Sequence, residues 1–265
     1  MFWTSVHTVD WIMCGVLYVV RMFGITAGYH RYFAHRSYKT SRPFQFVLAW
    51  LGCMSLQKGP LWWASHHRVH HKHSDTELDP HSPVVYTFYK SHLGWIFEKK
   101  NDRTHYNLIR DFTKFPELMW MNKLHWIPGI LLGLTCFGVS HLVTGNGWGG
   151  LVAFLISTVL LYHGTFMINS LAHVMGSRRY ETTDDSRNNF ALAVITLGEG
   201  WHNNHHYYQS AARQGFFWWE VDFSYYTLKA LSWVGLVWDL RQPPKPLLEA
   251  PYNVPGGHAP RKPLK

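Results

Sequence analysis

Residues 151–172 read LVAFLISTVLLYHGTFMINSLA and contain no lysine, arginine, aspartate or glutamate. A helix of about 20 apolar residues is long enough to cross the hydrocarbon core of a bilayer. Leu151–Ala172 is therefore predicted to be a membrane-spanning helix. This prediction sets the fold class, an all-α integral membrane protein.

Other apolar runs extend the prediction toward the N-terminus. Ile127–Val143 reads IPGILLGLTCFGVSHLV, and only the uncharged turn TGNGWGG separates it from the first run, which predicts a helical hairpin. Trp11–Gly28 is a third candidate span, although Arg21 interrupts it. Phe44–Leu56 is apolar but too short to cross, so we expect it to lie in the interface or to re-enter. The sequence thus predicts about three spans, with interfacial helices and a helical cap outside the membrane.

The basic residues predict which segments share a side of the membrane. Of 25 lysines and arginines, fourteen lie between Tyr29 and Trp126, ten follow Ala172, and the turn at 144–150 has none. Positively charged loops favour the cytoplasmic side. We therefore expect the long loop and the C-terminal region in the cytoplasm, with the turn and the N-terminus on the far side.

Composition agrees with a membrane protein. Hydrophobic residues make up 47% of the chain and charged residues 15%, and there are 14 tryptophans. The net charge of +9 is attributed to loop charge and anionic lipid, because no nucleic-acid-binding motif is present. Cys14, Cys53 and Cys136 lie in apolar runs without CxxC pairing, so they are interpreted as buried hydrophobic residues rather than as a disulfide or zinc framework.

The C-terminal part contains two further predicted features. Phe216–Leu240 mixes tryptophan, phenylalanine and leucine with charges and is predicted to be one amphipathic helix on the membrane surface. Residues 1–242 are interpreted as a single domain. Residues 243–265 are rich in proline and glycine and are expected to be disordered.

Nine of the 19 histidines occur in groups with the spacing of metal ligands. They stand in HRYFAH, HRVHH, NSLAH and HNNHH, and they are His30, His35, His67, His70, His71, His173, His202, His205 and His206. On an α-helix, residues four apart share a face, whereas neighbours point about 100° apart. One HxxHH helix can therefore serve two nearby metals. All four groups fall in regions expected on the cytoplasmic side.

The remaining histidines are interpreted as surface or hydrogen-bonded residues. His66 and His73 are not expected to be ligands, and His81 is expected to support one. Neutral imidazole suits zinc, copper, iron and nickel. A catalytic zinc takes about three protein ligands, so nine imidazoles fit two metals better, and chemistry with O₂ would imply iron. Some nearby carboxylates are expected to accept hydrogen bonds from the ligands, the candidates being Asp75, Asp79, Glu181, Asp184, Asp185 and Glu199.

The segments GITAGYHRYFAHRSY, HHRVHHKHSDTELDPHSP, NSLAH and GEGWHNNHH together resemble the membrane fatty acid desaturases, specifically the Δ9 acyl-CoA and acyl-lipid branch that includes stearoyl-CoA desaturase. The resemblance implies two iron ions, O₂ as co-substrate and an external electron donor such as cytochrome b5 or ferredoxin with its reductase. It also implies a long-chain acyl-CoA or lipid-bound acyl substrate in which a cis double bond is formed.

The same resemblance assigns roles to individual residues. His30, His67, His71 and His202 would hold one metal, with Asn169 contributing through water. His35, His70, His173, His205 and His206 would hold the other. Gln57, Trp63, Thr165 and Phe166 match positions that line the acyl tunnel, and Lys99 and Lys100 match a contact to the acyl carrier.

The sequence departs from the family pattern in three respects. One span precedes the first histidine motif where the family has two, giving three spans rather than four. Ser65-His66 stands where animal enzymes have an Arg-Asp pair near the nucleotide of coenzyme A, and Phe166 replaces a tryptophan. AARQG after HNNHH is closer to plant and cyanobacterial relatives, so the acyl carrier stays open between coenzyme A and lipid.

Two other functions are compatible with a histidine-rich membrane protein. A hydroxylase or monooxygenase would use the same metals but insert oxygen into the chain. A non-catalytic metal carrier would place its ligands along a path through the membrane, whereas here they flank the spans.

Overall fold

The computed structural model describes residues 6–249 of the 265-residue chain. In the described part the α-helices are α1 Thr8–Phe23, α2 Arg42–Cys53, α3 Pro60–His73, α4 Phe88–His92, α5 Arg110–Thr113, α6 Pro116–Lys123, α7 Ile127–Thr144, α8 Trp148–Asn169, α9 Phe190–Ile195, α10 His202–Tyr207, α11 Phe223–Trp233 and α12 Lys245–Glu249. A π-helical segment, Gly24–Ala34, continues α1, and short 3₁₀ turns cover Gly94–Phe97, Lys99–Asn101, Tyr106–Leu108 and Leu171–His173. The strands β1 Lys39–Thr40 and β2 Val237–Trp238 pair antiparallel.

Three helical stretches are long and apolar enough to cross a membrane, as the sequence predicts. They are Thr8–Ala34, Ile127–Thr144 and Trp148–His173. Gly145, with φ +74°, ends α7 and starts the turn into α8. A side chain at Gly150 would lie 2.0 Å from the Cys136 carbonyl oxygen, so the two helices of the hairpin pack backbone to backbone. The all-α membrane fold is confirmed.

Arg21, which interrupts the first span, is buried between α1 and α8. Its guanidinium donates to Thr158 Oγ1 at 2.7 Å and to the Ser157 hydroxyl, and it lies 5.2 Å from the centre of the Phe154 ring. A charged side chain is costly in a membrane unless it faces polar groups inside the bundle. The hydroxyls of α8 meet that requirement, so Arg21 is compatible with a span.

The helix α2 explains the short apolar run at 44–56. It has 12 residues, and Ser41 caps it by accepting a hydrogen bond from the Phe44 amide at 3.3 Å. This helix packs against the π-helical segment, and its Leu48 and Ala49 are fully buried there. Helix α2 is too short to cross the membrane, as expected for this apolar run.

Residues 216–240 do not form the single long helix that the sequence suggests. Helix α11 covers only Phe223–Trp233, because the Asp222 side chain accepts a hydrogen bond from the Tyr225 amide and starts the helix there. Gly235, with φ +74°, reverses the chain after it, and β2 then pairs with β1 through the Lys39 and Trp238 register. The buried capping residue Asp222 and the turn at Gly235 thus divide a run that appears continuous in the sequence.

A short helix lies near the start of the tail that the sequence predicts to be disordered. Residues 245–249 form α12, and Leu247 and Leu248 pack against Tyr180, Ala211 and Phe216. The Tyr180 hydroxyl also donates to the Leu247 carbonyl at 3.2 Å. Residues 250–265, the remainder of the expected tail, lie outside the described residues.

Candidate metal centre

Nine imidazoles from four separated parts of the chain meet near one end of the first and third candidate spans, which His30 and His173 belong to. They form two groups, and within each group the nearest ring nitrogens all lie within 4.8 Å of one another. The first group consists of His30, His35, His67, His71 and His205, and the second of His70, His173, His202 and His206.

The first group forms a connected set of Nε2 atoms. Four pairs lie close, His67–His35 at 2.9 Å, His71–His67 at 2.9 Å, His205–His71 at 3.0 Å and His30–His205 at 3.0 Å. The spacing His67-x-x-x-His71 on α3 places two of the rings on one face. His30 and His35 join them because the chain is π-helical there: the His35 amide donates to the His30 carbonyl at 3.1 Å, which stacks residues five apart.

The second group is assembled from α3, the end of the third span and α10. His202 and His206 lie one turn apart on α10, with ring centres 4.3 Å apart. The Nε2 atoms of His173 and His202 are 3.0 Å apart, and the His70 ring lies 5.4 Å from His173 and 5.2 Å from His206.

This grouping differs from the division of ligands that the family resemblance implies. His202 lies with the second group rather than the first, because it shares a helical face with His206. His35 lies with the first group because the π turn aligns it with His30, and His205 does so because it occupies the other face of α10. Each HxxHH helix therefore serves both groups, as its geometry predicts.

Four buried carboxylates accept hydrogen bonds from the Nδ1 side of group members. Asp79 lies 3.0 Å from His70, Asp75 lies 2.9 Å from His173 and Asp184 lies 2.6 Å from His206, while Glu199 contacts His30. An imidazole whose Nδ1–H is held in this way presents the Nε2 lone pair to a metal. These contacts fix four of the nine rings with Nε2 facing the centre of its group.

The two other candidate carboxylates have different positions. Glu181 is exposed, and Asp185 accepts from Arg178 at 3.2 Å while its amide donates to Asp75 at 2.8 Å. His81 stacks on His70 with ring centres 4.3 Å apart and lies 3.8 Å from the Asp79 carboxylate.

Six of the nine grouped imidazoles are shifted toward the neutral form. Burial lowers the pKa of His35, His67, His71, His202, His205 and His206, and neighbouring imidazoles lower it further, although Asp184 partly opposes this at His206. Burial alone would raise the pKa of Asp79, but attraction to His70 and several hydrogen bonds lower it, and Asp184 responds in the same way to His206. A metal cation binds the neutral form of imidazole, which is the form favoured at these six rings.

The distances also fit metal ions. Two nitrogens at right angles on one ion, each about 2.1 Å from it, lie about 3.0 Å apart, close to the spacing of the Nε2 atoms in the first group. Within the described part of the chain, the buried nitrogens His206 Nε2, His71 Nδ1, His202 Nδ1 and His205 Nδ1 have no hydrogen-bond partner. Buried polar atoms are rarely left unpaired, so Nε2 of His206, which faces its group, fits a cation there.

An apolar cavity of about 290 Å³ reaches the first group at His67. All four residues expected to line a tunnel, Gln57, Trp63, Thr165 and Phe166, lie on its wall, as does Asn169. Gln57 Nε2 donates to Thr165 Oγ1 at 2.8 Å across the wall, and the Trp63 ring stacks on His67 with centres 4.9 Å apart. An extended apolar molecule in this cavity would lie beside the imidazoles.

The other residues to which the resemblance assigns a role are Asn169, Lys99 and Lys100. Asn169 is the last residue of α8 and lines the apolar cavity. Lys99 and Lys100 are exposed, and the Lys100 ammonium lies 3.1 Å from Glu98. They follow Phe97, which lines the cavity.

Several residues that hold the centre were not found by sequence reasoning. Gln214 Nε2 donates to Glu199 at 3.1 Å and lies 3.2 Å from His30 Nδ1. The two asparagines inside HNNHH anchor α10: Asn203 Oδ1 accepts from the Tyr180 amide at 2.7 Å, and Asn204 Nδ2 donates to Glu220 at 2.9 Å. In the sequence, the only sign that Asn203 and Asn204 anchor α10 was their position between the histidines of HNNHH.

A buried ion pair supports His30 indirectly, through the carboxylate of Glu199. Arg31 is fully buried and donates to Asp222 at 3.0 Å while lying 3.4 Å from Glu199. Asp222 is the residue that caps α11. The ion pair therefore links the start of α11 to the carboxylate that orients His30.

Known proteins are similar to almost the whole chain. The profile of the fatty acid desaturase family matches residues 8–234. Delta-9 acyl-lipid desaturase 1 of Arabidopsis thaliana is 38% identical over 234 residues, which are 86% of this chain and 74% of that protein. The acyl-CoA C20 Delta5-desaturase of Anemone leveillei is 35% identical over 240 residues, 88% of this chain and 74% of that protein.

A third relative is named for a substrate bound to acyl-carrier protein. The hex-5-enoyl-[acyl-carrier protein] acetylenase of Moorena producens is 34% identical over 271 residues, 94% of this chain and 82% of that protein. The match to the family spans all nine grouped imidazoles and the cavity beside them. This chain belongs to the fatty acid desaturase family.

Proposed function

We propose that the protein introduces a cis double bond at carbon 9 of a saturated C16 or C18 acyl chain, using O₂ and two electrons at a centre of two iron ions. The observation that carries the proposal is the meeting of two imidazole groups with an apolar cavity that reaches one of them. Membership of the desaturase family supports the reaction type.

The reaction balances as –CH₂–CH₂– + O₂ + 2 e⁻ + 2 H⁺ → –CH=CH– + 2 H₂O. Two bound iron ions would supply the activation of O₂ that removes one hydrogen from each of two adjacent methylenes. The two imidazole groups would each hold one ion, with Asn169 contributing through water. The protein itself supplies no separate acid or base in this proposal.

The residues of the chain orient the ligands and the substrate. Asp75, Asp79, Asp184 and Glu199 keep the Nδ1–H of four ligands occupied, which preserves the metal-binding tautomer. The cavity binds the acyl chain by burying it against apolar side chains, and exclusion of water protects the reaction from side products.

The position of the double bond depends on how far the chain enters the cavity. Relatives named for desaturation at carbon 9 and at carbon 5 are similarly related to this chain. We assign carbon 9 on the resemblance of the four motifs, with Gln57, Trp63, Thr165 and Phe166 as the residues that set the path of the acyl chain.

The acyl carrier and the electron donor lie outside the membrane in this proposal. The carrier is coenzyme A or a lipid, with Lys99 and Lys100 near the phosphate-bearing part of it. The fourteen basic residues between Tyr29 and Trp126 support a cytoplasmic metal centre, where cytochrome b5 or ferredoxin with its reductase would supply the electrons.

The test is expression in a host that lacks carbon-9 desaturation, followed by mass-spectrometric location of new double bonds. We expect cis carbon-9 products from C16 or C18 chains. His67→Ala, His70→Ala and His206→Ala should each abolish them, whereas His73→Ala, a substitution beside the motif but outside both groups, should not. Hydroxylated chains without unsaturation would instead identify a hydroxylase, and metal uptake with an unchanged lipid profile would identify a metal carrier.

A further inference from the structure

A second, polar pocket opens onto the first imidazole group. It has a volume of about 330 Å³ and is lined by Ala34, His35, Arg68, His71, Lys72, Gln209 and Ser210. Among the described residues, its lining shares no member with that of the apolar cavity. The first group is therefore reached from two separate spaces, one apolar and one polar.

The apolar cavity and the polar pocket differ in which of the nine imidazole rings they expose. Six of the imidazoles are buried, and only His35, His67 and His71 are partly exposed. His67 lines the apolar cavity, which the acyl chain is proposed to fill. His35 and His71 line the polar pocket, so there the centre approaches water at a place that bound substrate leaves open.

The rim of the polar pocket is cationic. Lys72 is exposed, and the Arg36 side chain, which is 57% exposed, lies 3.2 Å from the Asp111 carboxylate. Asp111 also accepts from Arg68 at 3.0 Å, so Arg36 and Arg68 share one carboxylate, and Lys72 adds a further cation in the pocket lining. A surface of one charge sign favours a partner of the opposite sign and speeds its approach.

The wall that carries these charges is rigidly held. The Arg68 guanidinium donates to the Leu108 carbonyl at 2.7 Å and to the Phe33 carbonyl at 2.8 Å, besides its bond to Asp111. It thereby ties α3 to the π-helical segment and to the turn before α5. The pocket is a fixed surface rather than a gap between loose side chains.

We propose that this pocket and its rim, Arg36, Arg68 and Lys72, form the docking surface of an acidic one-electron carrier protein, and that the exposed edges of His35 and His71 are where electrons reach the centre. This inference rests on the proposed function, which consumes two electrons per double bond. The carrier delivers them in two successive encounters and is itself oxidised by one electron in each. The lining of this pocket is more polar than that of the apolar cavity.

The experiment measures binding of two acidic carriers, the soluble haem domain of a cytochrome b5 and a plant-type ferredoxin, to the metal-loaded protein in nanodiscs. The wild-type protein should bind at least one of them, more weakly as salt rises. The double variant Arg36→Glu/Lys72→Glu should weaken the tighter complex at least about ten-fold, and Lys72→Gln alone should weaken it less. The matched control Lys123→Glu/Lys229→Glu makes the same change in net charge on exposed residues that do not line the pocket, and it should leave the affinity unchanged.

A second measurement separates docking from damage to the centre. The double variant should keep its metal content and its rate of reduction by dithionite while losing reduction by the carrier. Binding of neither carrier to the wild type, equal weakening by the control pair, or loss of metal in both Lys72 variants would overturn the inference. Failure of the proposed function would look different: charge-dependent carrier binding would persist without any unsaturated product.

Discussion

An imidazole ligand depends on what holds its other nitrogen. In His206 the Nδ1 is 2.6 Å from Asp184, and Asp184 is held in turn by the Ser186 amide at 3.1 Å. Removing a carboxylate that backs a ligand typically lowers metal affinity about 10–100-fold. The carboxylates are thus expected to affect metal binding although none is proposed as a ligand.

Asp184→Asn tests this expectation. The variant should lose iron about 10–100-fold more readily to a chelator than the wild type, because the amide keeps the shape of the carboxylate but not its charge. Chelator titration followed by metal analysis gives the measurement. Glu181→Gln, on a nearby exposed carboxylate, is the control, and equal iron retention in both variants would argue against the role of Asp184.

Thr165 offers a residue-level test of the cavity. Thr165→Phe places a ring on the cavity wall where the hydroxyl now accepts from Gln57. We expect conversion of C18 chains to fall several-fold relative to C16 chains, because the longer chain needs more of the cavity. The ratio is read from fatty acid methyl esters of one culture. Thr135→Phe, on the exposed face of α7, should leave the ratio unchanged, and an unchanged ratio in both would remove Thr165 from the substrate path.

At the scale of single residues, spacing predicted which imidazoles share a face but not all of their partners. The pairs His67–His71 and His202–His206 follow from an α-helix. The alignment of His30 with His35 does not, because an α-helix would separate them by about 140° and only the i to i+5 hydrogen bond brings them together. Which carboxylate reaches which ring depends on chain crossings that no local pattern records.

Secondary-structure elements hold the site through a few tight contacts. Gly198 has φ +122°, and a side chain there would lie 2.3 Å from Asp222 Oδ1 and 3.2 Å from Arg31 Nη2. These two groups link the start of α11 to Glu199 and hence to His30. A close approach of this kind is open only to glycine.

Gly198→Ala should therefore lower the melting temperature and the iron content together. A backbone held at positive φ and a clash with a buried ion pair each destabilise the folded protein by roughly 1–3 kcal/mol. Gly138→Ala on α7 is the matched control, since a side chain there meets nothing within 4 Å, and it should keep or raise the melting temperature. A Gly198→Ala protein with unchanged melting temperature and iron content would contradict the account of this contact.

The apolar runs made the spans predictable, because length and absence of charge are enough to identify a crossing helix. The segment at 216–240 was not predictable in the same way. Its apolar composition reads as one helix, but the break at Asp222 depends on the buried partners Arg31 and Gln214 from distant parts of the chain. Tertiary contacts, rather than local preference, set the limits of α11.

For the whole molecule, the distribution of charge predicts the orientation in the membrane. The turn at 144–150 should face away from the compartment that contains the metal centre. Cysteine labelling tests this cleanly, because Cys14, Cys53 and Cys136 are all buried. Asn146→Cys should react with a membrane-impermeant maleimide that is added outside intact cells. Ser210→Cys should react with it only after the cells are opened. The reverse pattern would place the centre on the outer side.

The whole account depends on two metal ions sharing nine imidazoles. The most direct measurement is the iron content of purified, active protein, taken together with anomalous X-ray scattering at the iron edge. We expect about two irons per chain, with one scattering peak inside each imidazole group. An active protein that holds a single metal, no iron, or two peaks away from these groups would contradict the account.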